Sequence, residues 1–347
     1  MKAKYANLVE ALRENIINGT FQQGQRLNTE LELAQLYGLS RQTVRKALDI
    51  LEEEQYIHRK RGSGTYVNHV SSTEKQVMRI GVVVTNISDF IFPAILRGID
   101  AVLSKNNYSM VLKTTHNRFD NERVILQNFL QDPVDGVIIE ATKTSLPNPN
   151  IELYRKLIAT KVPIVFINSY PRQLENPTYV VMDDAAGGLL AVQYLHQHGH
   201  KCIAGIFKSD DMQGVGRFSG FIDGIAQYEM PFSDDLVIWY TTETRRCMLD
   251  HLYNVIQQEP IASASAILCY NDEIALHTIE ALHAYDRSPS KTVVCFDQIV
   301  HSEIFQGKIV ALKHPKEVMG NKAASMLLDI IQGNPKESFV FNWEYDI

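Results

Sequence analysis

Apolar residues in the first seventy positions recur at helical spacing. Tyr5, Leu8, Val9, Leu12 and Ile16 form a first amphipathic stripe, which Asn18-Gly19 ends by offering residues that tolerate a left-handed backbone. Thr29-Glu30-Leu31-Glu32 has the form of a capping box and predicts a second helix, stopped at Gly38. Ser40 caps a third. There Val44, Ala47, Leu48 and Leu51 fall at i, i+3, i+4 and i+7 to make one buried stripe, while Gln42, Arg45 and Lys46 project roughly opposite. Residues 56–67 alternate loosely and turn at two glycines, as a two-stranded wing does. From Met78 the rhythm changes to short apolar runs separated by longer helical patterns. Strands are predicted over 80–84, 110–114, 137–139, 162–167, 203–207, 266–270 and 292–296, with helices over 91–103, 124–130, 185–196, 215–228 and 273–284. Strands alternating with helices of this length imply a parallel, doubly wound α/β fold, and some 270 residues of it suggest two lobes. The expected organisation is an α+β winged helix-turn-helix over 1–68, a polar linker over 69–77, and a two-lobed α/β domain over 78–347.

Composition narrows the partners. The chain of 347 residues carries a formal charge of -6, but residues 1–75 hold 11 Lys and Arg against 9 Asp and Glu, whereas the remainder holds 23 against 31. A polyanion should therefore meet the N-terminal part. Cys202, Cys247, Cys269 and Cys295 show no CxxC pairing, and three of them sit in or beside apolar runs, which fits inert, reduced thiols in a cytoplasmic protein. No N-terminal apolar segment and no run of about 18 apolar residues appears, so neither secretion nor a membrane span is expected.

A helix, a short turn and a second helix is the arrangement in which one helix lies across the DNA backbone and the next enters the major groove. Arg can bind guanine O6 and N7 bidentately, Gln can pair with adenine, and a Thr hydroxyl or methyl can serve a phosphate or a thymine. Arg41, Gln42, Thr43 and Arg45 are accordingly the base-reading candidates, with Arg59, Lys60 and Arg61 beside the wing turn. A solvated helix face is the alternative for Arg41, Arg45 and Lys46.

In doubly wound folds ligands sit beyond the carboxyl ends of the strands. Polar residues there are Asp89 with Phe90 and Phe92, Glu140, Asn168, Lys208 with Asp210, Asn271 with Asp272, and Asp297. Carboxylates, amides and cations converging beside aromatics suit a polyhydroxylated ligand, whose hydroxyls donate to carboxylates while an apolar face stacks on a ring. Each Asp or Asn could instead cap the next helix, and for Asp183 and Asp184 capping is the preferred expectation. Gly214 and Gly216 before Arg217 fit no phosphate-loop spacing, and His196, His198 and His200 at a helix end lack a fourth zinc ligand, so no metal or cofactor is expected.

Residues 4–67 resemble the GntR family. The likeness rests on Leu27-Asn28-Thr29-Glu30, Leu33-Ala34, Gly38-Leu39-Ser40-Arg41, Thr43-Val44-Arg45-Lys46-Ala47-Leu48 and Gly62-Ser63-Gly64-Thr65-Tyr66-Val67. It implies operator contacts by Glu30, Arg41, Thr43, Arg45 and the wing glycines Gly62 and Gly64, with Lys4, Tyr5, Gln42, Lys46 and Arg61 completing the candidate set. Asn28, where the family often has Pro, should loosen the entry to the second helix. Residues 79–340 resemble the effector domain of the LacI/GalR family through Ile80-Gly81-Val82 with Arg97-Gly98-Ile99, Val134-Asp135-Gly136, Asp184 with Gly187-Gly188, Arg217 with Gly220-Phe221, and Ala266 to Ala275. That likeness implies an effector held by Asn168, Arg217, Asn271 and Asp297. Phe296 and Gln298 depart from it at the rim.

The two halves together are similar to a narrower group, the arabinose-responsive repressors of Gram-positive bacteria, through Ile87 to Pro93, Glu140 to Lys143, Gly205 to Val215 and Lys313 to Lys316. This implies L-arabinose as effector and adds Lys208, Gln213 and His314 to the pocket. The expected protein is a homodimeric repressor that binds a roughly palindromic operator, with half-sites spaced in multiples of about 34 to 36 Å, and lets go when sugar binds. Two other classes remain open. One is a transporter's sugar-binding protein, which has no use for Arg41 and Arg45; the other is a sugar-modifying enzyme with Asp297 or Glu140 as base.

Overall fold

The computed structural model describes residues 4–17, 20–22, 24–54, 56–60, 63–68, 77–87, 91–285, 290–297 and 309–346. The chain splits into two compact units, Met1–Gln76 and Val77–Ile347. The N-terminal unit contains α1 (Lys4–Ile17), α2 (Glu30–Tyr37), α3 (Arg41–Glu53) and an antiparallel pair, β1 (Ile57–Lys60) with β2 (Gly64–Val67). Leu8, Leu12, Leu33, Val44, Ala47, Leu48 and Leu51 meet in one core, so the stripes read from the sequence are the buried ones. The capping box at the start of α2 is closed on both sides: Thr29 Oγ1 accepts from Glu32 N at 3.3 Å, and Thr29 N donates to Glu32 Oε2 at 2.7 Å. Gly38 ends α2 at φ 63°, the left-handed backbone that glycine adopts without strain. The segment before α2 is tied to the wing, where Leu27 N donates to Thr65 O at 2.9 Å. The stop expected at Asn18-Gly19 and most of the linker lie outside the described residues.

The C-terminal unit has two sheets, each of six strands among the described residues. The first lobe runs β3 (Arg79–Val84), α4 (Phe92–Lys105), β4 (Ser109–Thr114), α5 (Phe119–Gln131), β5 (Gly136–Ile139), α6 (Ile151–Ala159), β6 (Ile164–Ile167) and β7 (Thr178–Met182). The second runs α7 (Asp184–Gln197), β8 (Ile203–Lys208), α8 (Met212–Gln227), β9 (Val237–Tyr240), α9 (Arg245–Val255), β10 (Ala266–Cys269), α10 (Asp272–Tyr285), β11 (Thr292–Phe296) and β12 (Ile309–Lys313). The chain then returns through α11 (Lys316–Ile331) and β13 (Phe339–Phe341), which extends the first sheet beside β7, and crosses back to β14 (Glu344–Asp346) beside β12. Among the described residues it thus passes between lobes after β7, after β12 and after β13. All ladders are parallel except β12 with β14, so the all-parallel expectation fails at that one edge.

Central strands buried on both faces explain the continuous apolar runs, such as Gly136–Ile139 and Ile164–Ile167. Helix α5 begins earlier than the predicted 124, because its first turn is polar and acidic, with Asp120 and Glu122 favoured at a helix start but invisible to a hydrophobic count. In each lobe two helices touch backbone to backbone. A methyl group at Gly220 would lie 1.8 Å from Ala185 O, and one at Gly320 2.1 Å from Ile95 O, so only glycine allows α8 to meet α7 and α11 to meet α4 this closely.

Candidate DNA-reading surface and interlobe pocket

Ser40 Oγ accepts from Thr43 N at 3.2 Å and fixes the first turn of α3. Thr43 Oγ1 also bonds Ser40 Oγ at 2.8 Å, so this hydroxyl is engaged. Arg41 and Arg45 are about two-thirds exposed, with Gln42 beside them. Arg45 is already oriented: its Nε and Nη2 donate to Glu30 Oε1 and Oε2 at 3.0 and 3.1 Å, and Arg41 Nη2 stands 4.0 Å from the same carboxylate. The hydrogen bond from Arg45 holds the Glu30 carboxyl below its ordinary range. Glu30 therefore preorganises the arginine fork, a bond between residues fifteen apart that no local pattern shows. Lys46 Nζ sits 4.3 Å over the Tyr5 ring, which steers it along α1.

The wing differs from the sequence expectation in its charges. Arg59 is held by Asp49 at 2.5 Å and Glu52 at 3.1 Å, so it braces the wing on α3 and is not a free basic group. Residues 25–27 pair with β2, as the bridge between Arg26 and Tyr66 shows, and bring Arg26 against Gly64. Gly64 has φ 128°, and a methyl there would lie 2.6 Å from Arg26 Nε. Arg61, Gly62 and the side chain of Lys4 lie outside the described residues. Replacing Arg45 by Ala should weaken specific duplex binding by about 1 to 3 kcal/mol if it reads a base edge. Fluorescence anisotropy on a selected duplex measures this, and unchanged affinity would remove Arg45 from the reading set.

Strand ends of both lobes surround a cavity of about 250 Å3. From the first lobe come Thr85 and Asn86 after β3, Phe92 on α4, His116 and Asn117 after β4, Glu140 after β5, and Ser169 after β6. From the second come Lys208 and Asp211 at the end of β8, Gln213 and Arg217 on α8, Tyr240 and Thr242 at β9, Arg245 on α9, Tyr270 to Glu273 after β10, and Asp297 after β11.

Glu140 is buried and accepts from Thr85 Oγ1 at 2.5 Å and Asn168 Nδ2 at 2.8 Å; burial raises its carboxyl against the pull of those donors. Burial opposes the charge on Lys208, but Asp211 at 3.0 Å and Asp210 at 3.6 Å outweigh it and keep the amine protonated. Arg217 is 1% exposed. Its Nε donates to Asp184 Oδ1 at 2.9 Å, Nη1 donates to the Tyr270 carbonyl at 2.5 Å, and the guanidinium lies 4.4 Å from the Phe296 ring centre and 4.9 Å from that of Tyr270. Burial, with Asp297 second, pushes the Asp272 carboxyl up to about 7. Asn168 and Asp297 each take a left-handed backbone, φ 63° and 69°, at the turn that ends their strands.

Phe92, Glu140, Lys208, Gln213, Arg217, Asn271 and Asp297 thus meet at one cavity, as the sequence implied. Asn168 stands behind, orienting Glu140. His314, expected in the pocket, is buried and does not line the cavity; neither ring nitrogen is bonded to a described residue, and burial pulls its pKa down to about 4. Asp89, Phe90 and Gln298 lie outside the described residues. Asp183 caps α7 by accepting from Ala186 N at 3.0 Å, but Asp184 corrects the capping expectation: its carboxylate pairs with Arg217. Asn271 does both jobs, lining the cavity and accepting from Ile274 N at 3.0 Å. Asn117, Tyr240, Thr242 and Arg245 were missed: Asn117 follows the strand expected over 110–114, whereas β9 and α9, which bring the other three to the cavity, were not read at all. His196 stacks on Tyr228 at 4.2 Å, His198 bonds Tyr194 O at 2.8 Å, and His200 bonds Ser265 Oγ at 2.9 Å. No group of three or more metal-ligating residues occurs among the described residues.

Residues 4–67 match the family model for bacterial regulatory proteins of the gntR family, and residues 77–341 match that for periplasmic binding proteins and the sugar-binding domain of the LacI family. The arabinose metabolism transcriptional repressor of Halalkalibacterium halodurans is 33% identical over 97% of this chain and 92% of its own length. That of Geobacillus stearothermophilus is 36% identical over 95% of this chain and 91% of its own. The chain belongs to this family of transcriptional repressors. A putative ribose operon repressor from Burkholderia thailandensis shares the fold, with a TM-score of 0.68, 20% identity, and coverage of 77% of this chain and 98% of that one. As a sugar-responsive repressor of LacI type with a GntR-type reading head, the chain groups with regulators and not with enzymes. No helix among the described residues is long and apolar enough to cross a membrane.

Proposed function

We propose that this repressor binds a palindromic operator in the cytoplasm as a homodimer and is released by L-arabinose held in the interlobe cavity. The observation that carries the proposal is the pairing of Glu140 from the first lobe with Lys208, Arg217 and Asp297 from the second around one small cavity. A ligand there must satisfy carboxylates and cations at once. Vicinal hydroxyls do this, since each both donates and accepts, whereas a phosphorylated sugar would face Glu140, Asp211, Asp272, Glu273 and Asp297. At about 250 Å3 the cavity is smaller than the 300 to 1,000 Å3 usual for drug-sized ligands, which favours a monosaccharide. The names of the relatives supply the choice of arabinose.

Sugar bound by both lobes favours one interlobe arrangement over another and shifts a two-state equilibrium. The coupling is reciprocal and should amount to about 1 to 3 kcal/mol, or 5- to 150-fold in affinity. A gel-shift titration tests this, using a duplex selected from a random pool by the purified protein. L-arabinose should lower affinity within that range, while D-xylose, D-ribose, D-galactose and D-glucose should not. Release by another member of the panel would replace the ligand; release by none would sink the sugar-release mechanism.

A further inference from the structure

Two of the chain's crossings between lobes, and the helix that follows the other, meet at one indole. Trp343 lies in the third crossing, between β13 in the first lobe's sheet and β14 in the second, and is 5% exposed. Its ring packs edge-on against His314, in the second crossing, at 5.5 Å between centroids. It also abuts the start of α7, which follows the first crossing: a methyl group at Gly187 would lie 2.5 Å from the indole Cδ1. Trp343 also faces Phe296 at 5.0 Å and the Arg217 guanidinium at 5.2 Å. Phe296 and Tyr270, the other rings around Arg217, both end strands of the second lobe, so Trp343 is the aromatic neighbour of Arg217 that is bound by chain to both lobes. Its Nε1 is buried with no hydrogen-bond partner among the described residues.

A lobe rotation must bend all the crossings together. Because the indole is wedged between them and a pocket-lining guanidinium, it cannot keep all these contacts while they move. We propose that Trp343 is a positioning residue that couples sugar in the cavity to the crossings, by holding Arg217 in register with them in one lobe arrangement and not in the other. Trp343 does not line the cavity and need not touch the sugar. The inference rests on the sugar-release function proposed above.

Two experiments on the full chain test it. Trp239 is the other tryptophan, on the surface of β9, so Trp239→Phe leaves Trp343 as the sole indole. The emission of that variant should shift when the sugar that releases the wild type is added; constant emission while calorimetry shows saturation overturns the proposal. Trp343→Phe should keep operator affinity without sugar, and sugar affinity without DNA, within about threefold of wild type. The sugar-dependent loss of operator affinity should shrink from the wild-type factor, expected within about 5- to 150-fold, to less than about threefold. Full release from the variant, or a loss of sugar binding itself, would overturn the coupling role. Gly187→Ala, whose methyl would press on both the indole and the Phe296 ring, should also weaken release, and it decides the matter if Trp343→Phe does not fold. If no sugar releases the wild type, the proposed function fails first and this inference with it. Wild-type release with unimpaired release from Trp343→Phe, or from Gly187→Ala where Trp343→Phe does not fold, fails the inference alone.

Discussion

Replacing Arg217 by Met is expected to destabilise the C-terminal unit by about 3 to 5 kcal/mol, because it removes one partner of a buried ion pair and leaves the other charge without compensation. The abandoned groups are Asp184, paired with Arg217 at 2.9 Å, and Asp297, which is 4% exposed and has Oδ1 without a partner among the described residues. Urea denaturation followed by tryptophan emission measures the loss in the relevant unit alone, since Trp239 and Trp343 both lie within Val77–Ile347. The effect carries a pH signature. Burial already raises the Asp184 carboxyl to about 7 against the pull of Arg217, and removing Arg217 removes that pull and raises it further. A carboxyl whose folded pKa exceeds its unfolded value binds more protons in the folded state, so its contribution to stability is present at low pH and lost as pH rises through the folded pKa. The variant should therefore be weakest near pH 8 and recover toward pH 5. Adding Asp184→Asn should restore part of the loss. A variant as stable as wild type at pH 8 would show that the pair is not the anchor its burial implies.

Legibility in the sequence followed the range of the interactions. The reading head was legible because caps and stripes are local: Thr29 finds Glu32 three residues on, and Ser40 finds Thr43. The Glu30–Arg45 fork and the brace from Arg59 to Asp49 and Glu52 were not, since they depend on how α2, α3 and the wing pack. In the second unit, apolar runs located the strands, and the rule that ligands sit at strand ends then placed Glu140, Lys208, Asn271 and Asp297 at one cavity. What stayed hidden was the path between lobes. Asp184 resembles a cap until α7 is seen packed on α8, and nothing local ties Trp343 to His314 or Arg217. Strand β9, an edge strand of four residues, gave no buried run, so Tyr240 and Thr242 had no strand end to mark them.

Replacing Glu122 by Ala should cost about 3 to 5 kcal/mol, for a reason equally absent from any local pattern: each buried donor left without an acceptor costs about 1 to 3 kcal/mol, with partial relaxation reducing the sum. Glu122 is fully buried in the first turn of α5. Its Oε1 accepts from Thr142 N at 2.9 Å and Tyr154 Oη at 2.7 Å, and its Oε2 accepts from Asn148 Nδ2 at 2.9 Å and Asn150 Nδ2 at 2.8 Å. These bonds hold residues 142–150, the segment that follows Glu140 and reaches across to the second lobe. There Thr144 Oγ1 accepts from Met212 N at 3.0 Å, Ser145 Oγ donates to Ser209 O at 2.7 Å, and Lys143 pairs with Glu243. Glu122→Gln keeps the shape but turns an amide NH2 toward donors, so it should lose roughly half as much stability by the same reasoning. If the segment sets how the lobes meet, sugar affinity measured by calorimetry should fall in both variants while operator affinity without sugar changes less. Equal stability of Glu122→Ala and wild type in urea would mean that the four donors find other acceptors, and the segment would then owe its place to the interlobe contacts themselves.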